Sequence, residues 1–123
     1  MISFDFDCTL TEPAVQDIAE EIKRSGIGIA IVTSRSMSGD NADLFKVAVK
    51  LGITDVYFTE YKSKAKFFEA RPEFVCHVDD FYLEVDAINS SDCNAAGVDW
   101  IKDPDWIEKV YELQQKILLA KHY

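Results

Sequence analysis

The chain has few cysteines, few basic residues and no long hydrophobic run, and each shortage excludes a class of protein. Its three cysteines are odd in number and are not spaced as CxxC, so the sequence indicates neither a disulfide framework nor a structural zinc site. No apolar run approaches the length of a membrane-spanning helix, and no basic and apolar leader precedes Ile2. We therefore expect a protein that has no membrane partner and stays in the reducing cytoplasm.

Basic residues are clearly outnumbered by acidic ones. Thirteen Lys and Arg face 22 Asp and Glu, which gives a formal net charge of -9. Nucleic acids and anionic membranes would be repelled by such a chain unless a local basic patch reversed the field. The charge balance therefore disfavours a general nucleic-acid binder and weakly disfavours a polynucleotide end as substrate, but it does not exclude a nucleotide that is held through a metal ion.

Length and hydrophobic patterning favour a single α/β domain over residues 1–123. The chain is 48% hydrophobic, which suffices for one core, and it is too short for two domains. Apolar strand-like segments alternate with segments of helical periodicity, which predicts a three-layer, Rossmann-like parallel sheet with helices on both faces. The predicted strands cover about 2–7, 26–33, 53–58, 74–78 and 97–101, and the predicted helices cover about 13–25, 42–51, 63–70, 83–88 and 104–118.

Polar residues follow three of the predicted strands where each one ends. These residues are Asp5, Asp7, Thr33, Ser34, Arg35, Asp79 and Asp80. The carboxyl ends of parallel strands meet at one edge of the sheet, where open α/β sheets place their ligand crevice. Several carboxylates in one crevice would repel one another unless a cation lay among them. A hard ion such as Mg²⁺ fits this role, and phosphate is then the natural second ligand.

Four short motifs occur in a fixed order along the chain. The segment DFDCT follows a hydrophobic strand as DxDxT, IAIVTSR ends an apolar strand with Thr33, FTEYKSKAKFF offers Lys64 or its near alternative Lys62, and FVCHVDD ends in an acidic pair. In these motifs, which span nearly the whole chain, the sequence resembles the haloacid dehalogenase (HAD) superfamily, most of whose members are phosphotransferases. Two positions depart from the family pattern: Cys8 stands where Gly is common, and Glu84 replaces an Asp.

The resemblance implies a magnesium-dependent phosphatase that acts through an aspartyl-phosphate. It implies that Asp5 attacks phosphorus, while Asp7 protonates the leaving oxygen and later activates water. Thr33 and Lys64 would hold the phosphoryl group. Ser34 and Arg35 would add substrate contacts, as the corresponding Arg does in phage polynucleotide-end phosphatases.

The resemblance also implies a metal site. Asp5, the carbonyl of Asp7 and Asp80 would hold Mg²⁺, with Asp79 as the alternative to Asp80 and Glu84 as a second acid. His77, inside the fourth predicted strand, has a more ordinary interpretation, since a histidine at such a position is usually a packed or partnered core residue.

The spacing of the motifs leaves no room for a cap domain. In the resembled family a cap is inserted between the first two strands or between the second and third motifs, and here residues 12–25 and 36–52 are each used up by one crossover helix. We therefore expect a capless HAD-like domain with an open site. Such a site would accept a phosphoprotein or a polynucleotide end, or a nucleotide or sugar phosphate if another copy in a homo-oligomer supplied the lid.

Two other functions remain as alternatives. A HAD-like module that binds metal or phosphate without turnover would carry the same motifs. A signalling receiver domain also gathers acids around magnesium and takes up phosphate on Asp. However, its phosphorylated Asp should end the third strand, where this chain has Phe58, Thr59 and Glu60.

Overall fold

Strands and helices alternate along the chain in the computed structural model, which describes residues 1–121. The strands are β1 (Ile2–Phe4), β2 (Ile29–Thr33), β3 (Asp55–Phe58), β4 (Cys76–Asp79) and β5 (Ala96–Asp99). The helices are α1 (Pro13–Arg24), α2 (Ala42–Leu51), α3 (Lys64–Glu69), α4 (Tyr82–Asn89) and α5 (Trp106–Ala120). A short turn, Phe6–Leu10, follows β1.

The five strands form one parallel sheet in the order β3-β2-β1-β4-β5. Every residue of β1 and β2 is buried, because both strands lie inside the sheet and are covered on both faces. This double coverage explains why the segment IAIVT is apolar throughout up to its final Thr33. The predicted Rossmann-like α/β fold is therefore confirmed.

Helices cover the two faces of the sheet as two separate apolar clusters. Helices α1, α2 and α5 bury one cluster, to which α1 contributes Val15, Ile18 and Ile22 at helical spacing. Helices α3 and α4 bury the other, through residues such as Phe68 and Ile88. Fully burying a side chain of this size contributes about 1.5–3 kcal/mol, so the two clusters hold the sheet as the middle layer.

Two glycines mark helix ends on the α1 and α2 side. Gly26, shortly after α1, and Gly52, directly after α2, have φ angles of 88° and 69°, a left-handed conformation that glycine adopts at little cost. The Nζ of Lys23 donates to the carbonyl of Gly52 at 2.6 Å, and a Cβ built at Gly52 would lie 2.0 Å from that nitrogen. The contact ties the end of α2 to α1.

Several element ends differ from the sequence-based prediction. Strand β1 ends at Phe4 instead of continuing to Asp7, because the chain turns at once and the amide of Leu10 donates to the carbonyl of Asp5. Helix α5 begins at Trp106 instead of Pro104, since the Trp106 amide closes a turn onto the carbonyl of Asp103. Strand β4 extends to Asp79, one residue further than predicted, and pairs there with β5.

One helix fills each connection at which a cap was considered. The link from β1 to β2 holds the Phe6–Leu10 turn and α1, and the link from β2 to β3 holds α2. Among the helices of residues 1–121, none is long and apolar enough to cross a membrane.

Candidate active site

An open cleft of about 350 Å³ lies at the carboxyl edge of the sheet. Its walls carry five acidic side chains and one basic one, namely Asp5, Asp7, Asp79, Asp80, Glu84 and Lys64. Ser34 also lines the cleft, whereas its chain neighbours Thr33 and Arg35 do not. The structure therefore brings six of the eight predicted site residues to one cleft.

Lys64 joins two of these carboxylates. Its Nζ donates to Oδ1 of Asp5 at 2.9 Å and to Oδ2 of Asp79 at 2.7 Å, and all three side chains are buried. Lys64 is the first residue of α3, and its own amide donates to Oε2 of Glu84 at 3.1 Å. Lys62 is exposed and lines a different cavity, so Lys64 is the lysine that the fold places in the cleft.

The charges in this cluster do not balance. Burial raises the pKa of the Asp5 carboxyl to about 8, against the opposing charge of Lys64 and in line with the negative charge of Asp79. For Lys64, burial by itself would lower the pKa, but the charges of Asp5 and Asp79 more than offset it and the pKa is raised. One ammonium faces two buried carboxylates, so a further cation would favour the ionised form of Asp5.

A buried chain of hydrogen bonds runs from Ser3 through His77 to Asp79 and orients the Asp79 carboxylate. The Nε2 of His77 lies 2.9 Å from Oδ2 of Asp79, and its Nδ1 lies 2.8 Å from Oγ of Ser3. Ser3 and His77 are direct register partners on β1 and β4, which explains why the Ser3 hydroxyl meets the His77 imidazole. Burial lowers the pKa of His77, so its single N–H is best placed on Nε2, donating to Asp79. The prediction of a partnered core histidine fits this contact.

Asp80 is held by a different pair of side chains, those of Thr9 and Trp100. The Thr9 hydroxyl donates to Oδ1 of Asp80 at 3.2 Å, and the Trp100 indole N–H donates to that hydroxyl at 3.1 Å. Carboxylate oxygens of Asp5, Asp79 and Asp80 all lie within 4.8 Å of one another. This all-oxygen donor set is the kind that magnesium prefers.

Asp7 lines the same cleft and is paired there with a cation. Both its oxygens accept from Arg35, at 3.0 Å from Nε and 2.7 Å from Nη2, and Arg35 also donates to both oxygens of Asp43. The Asp7 side chain is 52% exposed. The four acids expected to converge thus all line the one cleft, but Asp7 is not one of the three whose carboxylate oxygens lie within 4.8 Å of one another.

Thr33 and Ser34, at the end of β2, differ in their exposure: the first is buried and the second is exposed. Thr33 is fully buried, and its hydroxyl accepts from the amide of Arg35 at 3.3 Å. Ser34 is exposed and lines the cleft. Its carbonyl accepts from the amide of Tyr61 at 2.7 Å, which fixes the β3–α3 loop beside the cleft.

Some contributors to the cleft escaped the sequence analysis. Tyr61 and Phe81 line it with aromatic side chains. Asp43 shares the guanidinium group of Arg35 with Asp7. Glu60 and Tyr61 take left-handed φ angles of 55° and 63°, which non-glycine residues seldom adopt. The sequence does contain one sign of the chain of hydrogen bonds behind Asp79: Ser3 is a polar residue between the apolar Ile2 and Phe4 of a buried strand.

Comparison with known proteins supports the fold alone. The chain matches no family model and no curated protein. It is similar to the crystal structure of an uncharacterized protein from Corynebacterium glutamicum, with a TM-score of 0.70, 16% sequence identity and 93% of each chain covered. At this identity the match agrees with the parallel α/β architecture and carries no statement about function.

Proposed function

We propose that this protein is a magnesium-dependent phosphomonoesterase of the HAD type that acts through an aspartyl-phosphate on Asp5. The observation that carries the proposal is the contact between Lys64 and Asp5 at the carboxyl end of β1. It supplies a carboxylate nucleophile and a positive charge at one point of an open cleft, with further acids at hand for a metal. These are the groups that the sequence motifs predict for this chemistry.

The proposed reaction assigns each group a step. Lys64 fixes the Asp5 carboxylate through Oδ1, and Asp5 attacks the phosphorus of the bound monoester while the leaving oxygen departs. Asp7 gives a proton to that oxygen and afterwards takes one from the water that hydrolyses the aspartyl-phosphate. Ser34, exposed in the cleft, is placed to hydrogen-bond the phosphoryl oxygens.

The acidic residues fit a magnesium ion by their chemistry. Asp79 already accepts from Lys64, His77 and the amide of Phe81, so we assign the ion to Asp5, Asp80 and the carbonyl of Asp7. When bound, Mg²⁺ would neutralise negative charge on the phosphoryl group and among the carboxylates.

A module that binds metal or phosphate without turnover is the second candidate. One observation favours it: the bidentate contact with Arg35 occupies both oxygens of Asp7. Catalysis requires Asp7 to leave that contact. A phosphoryl group that binds Arg35 in place of Asp7 would release it, because guanidinium groups bind phosphate as readily as carboxylate.

The open cleft sets the range of substrates. The connections into which a cap would be inserted hold single helices, so a phosphoprotein or a polynucleotide end could enter, as could a nucleotide or sugar phosphate under a lid from another copy. The lid version predicts a stable homo-oligomer in sedimentation, and a monomer at all concentrations would contradict it. We place the reaction in the cytoplasm, where the three unpaired cysteines would stay reduced.

The test of the activity is hydrolysis of a chromogenic aryl phosphate with and without magnesium. We expect magnesium-dependent release of the aryl group, and we expect Asp5→Asn to abolish it. Asp17→Asn removes the same charge from an exposed position on α1 and should keep full turnover. Turnover that survives Asp5→Asn would overturn the proposed mechanism.

A further inference from the structure

A second cavity, of about 430 Å³, opens between the end of β3 and α3. The β3–α3 loop borders both openings, since Tyr61 lines the acidic cleft while its neighbours Glu60 and Lys62 line the second cavity. Phe58 and Phe67 give this cavity an apolar wall. The two cavities are thus neighbours that share one loop.

The second cavity is basic although the protein is acidic. Lys62, Lys66 and Arg71 line it, and Glu60 is its one acidic lining residue. Oε2 of Glu60 accepts from the amide of Met37 at 3.2 Å, so that carboxylate is already engaged elsewhere. In the described part of the chain, none of the three cations has a carboxylate partner within 4.0 Å.

Arg71 is held in place without an acidic partner. Its guanidinium carbon lies 4.0 Å from the centre of the Phe67 ring and 5.7 Å from that of Tyr57. Its Nη1 also donates to the carbonyl of Phe67 at 3.3 Å. A guanidinium positioned by rings keeps most of its donors available, which suits recognition of an oxyanion.

Thr59 supplies an independent observation at the same place. It lines the cavity, is 8% exposed, and its Oγ1 is the one buried side-chain oxygen or nitrogen without a hydrogen-bond partner in residues 1–121. An unpaired buried hydroxyl costs stability, so its presence calls for an explanation. The Oγ1 atom itself has less than 1 Å² of exposed surface, so a ligand oxygen in the cavity would become its partner once the Thr59 side chain rotates towards the cavity.

We propose that this cavity binds the phosphate group of a small molecule, through the cations Lys62, Lys66 and Arg71 and the hydroxyl of Thr59. The proposal does not rest on the phosphatase activity, because it concerns a different cavity with the opposite charge. A ligand in this cavity would contact the β3–α3 loop, which ends at Lys64. The phosphate could belong to the substrate in the neighbouring cleft, as a second phosphate group, or to a separate molecule.

The first test is a titration of the metal-free protein with inorganic pyrophosphate, followed by the backbone amide resonances. Without a divalent ion the cleft repels anions, so saturable shifts should appear at Thr59, Ser63 and Lys66. Lys66→Gln should raise the dissociation constant about two- to fivefold at low salt, and Lys46→Gln, which removes the same charge from an exposed position on α2, should leave it unchanged. Absent shifts at these amides, or equal effects of the two variants, would overturn the proposal.

The second test uses Thr59→Val, which keeps the shape of the side chain and removes the hydroxyl. If the hydroxyl serves a ligand, this variant should be at least as thermally stable as the wild type and should bind pyrophosphate more weakly. Lower stability together with unchanged pyrophosphate binding would give the hydroxyl a structural role and remove it from the proposed site.

The source of the phosphate is separated by a binding experiment on Asp5→Asn with magnesium and a small bisphosphate. If the cavity takes the second phosphate of a substrate, amides of the cleft and of the cavity should shift with one common midpoint. Independent midpoints would identify the ligand as a separate molecule. Both outcomes are read from binding and need no turnover, so this experiment tests the phosphate site independently of the proposed phosphatase activity.

Discussion

Lys64 and Asp5 meet through a 2.9 Å contact between Nζ and Oδ1, although 59 residues separate them in the chain. The contact joins the start of α3 to the residue that follows β1, and the same Nζ also holds Asp79. It brings one ammonium group and two carboxyl groups together in the buried end of the cleft. The proposed chemistry depends on this contact more than on any other.

Lys64 should be important for stability as well as for turnover. Lys64→Met leaves two buried carboxylates without their cation, so we expect the free energy of unfolding to fall by about 3–5 kcal/mol near pH 7. Urea denaturation measures this loss. The exposed Lys62→Met is the control and should change stability by less than about 0.5 kcal/mol; equal losses in the two variants would contradict the role of the buried contact.

Asp79 and Asp80 should respond differently to removal of their charge. Asp80→Asn should weaken magnesium binding by about tenfold or more, because it removes a proposed ligand. Asp79→Asn should instead lower the free energy of unfolding by about 1–3 kcal/mol, because Lys64 and His77 lose a charged partner. Calorimetric titration with magnesium and urea denaturation separate the two effects. The reverse order of magnesium affinities would make Asp79 the ligand.

Most of the fold could be predicted from the sequence because the patterns that indicate strands, helices and turns are local. The alternation of apolar strands with helical periodicity, the Pro13 start and the glycines after α1 and α2 are each readable within a few residues, and the expectation of a parallel sheet followed from the alternation. The same holds for Asp5, Asp79 and Asp80, whose place at the cleft follows from the strand ends. Topology then brought them together.

The parts that escaped prediction depend on backbone angles and distant partners. Arg35 binds both Asp7 and Asp43, which lie 28 and 8 positions from it in the chain, and a cysteine gives no sign of the left-handed angle at Cys8. The basic cavity needs α3 to place Lys66 and Arg71 beside Thr59. Spacing along the chain does not reveal either arrangement.

Arg35 should control the titration of Asp43. Hydrogen bonds from the Arg35 guanidinium lower the pKa of the Asp43 carboxyl to about 2. Because this pKa is lower in the folded protein than in the unfolded chain, the pair stabilises the fold above about pH 4, and the effect is lost as the pH falls towards 2. Arg35→Ala should return the midpoint towards about 3.9, as seen by carboxyl-carbon NMR. An unchanged midpoint would contradict the contact; Arg24→Ala on α1 is the control.

Cys8 should tolerate glycine better than a branched residue. Its φ of 56° is a left-handed angle that costs a side chain about 1–2 kcal/mol. Cys8→Gly relieves this strain but frees the unfolded chain, so the free energy of unfolding should change by less than about 1 kcal/mol. Cys8→Val should lower it by about 1–2 kcal/mol. Equal stability of the two variants in urea denaturation would contradict the left-handed turn.

The most direct test of the central claim is to trap the phosphorylated aspartate. Asp7→Asn should slow hydrolysis of the aspartyl-phosphate more than its formation, so acid-quenched protein incubated with an aryl phosphate and magnesium should retain a phosphoryl group. Peptide mass analysis should place it on Asp5, within the tryptic peptide of residues 1–23, and hydroxylamine should remove it. A protein that turns over without this label, carries it on another residue, or takes up no phosphoryl group would contradict the account.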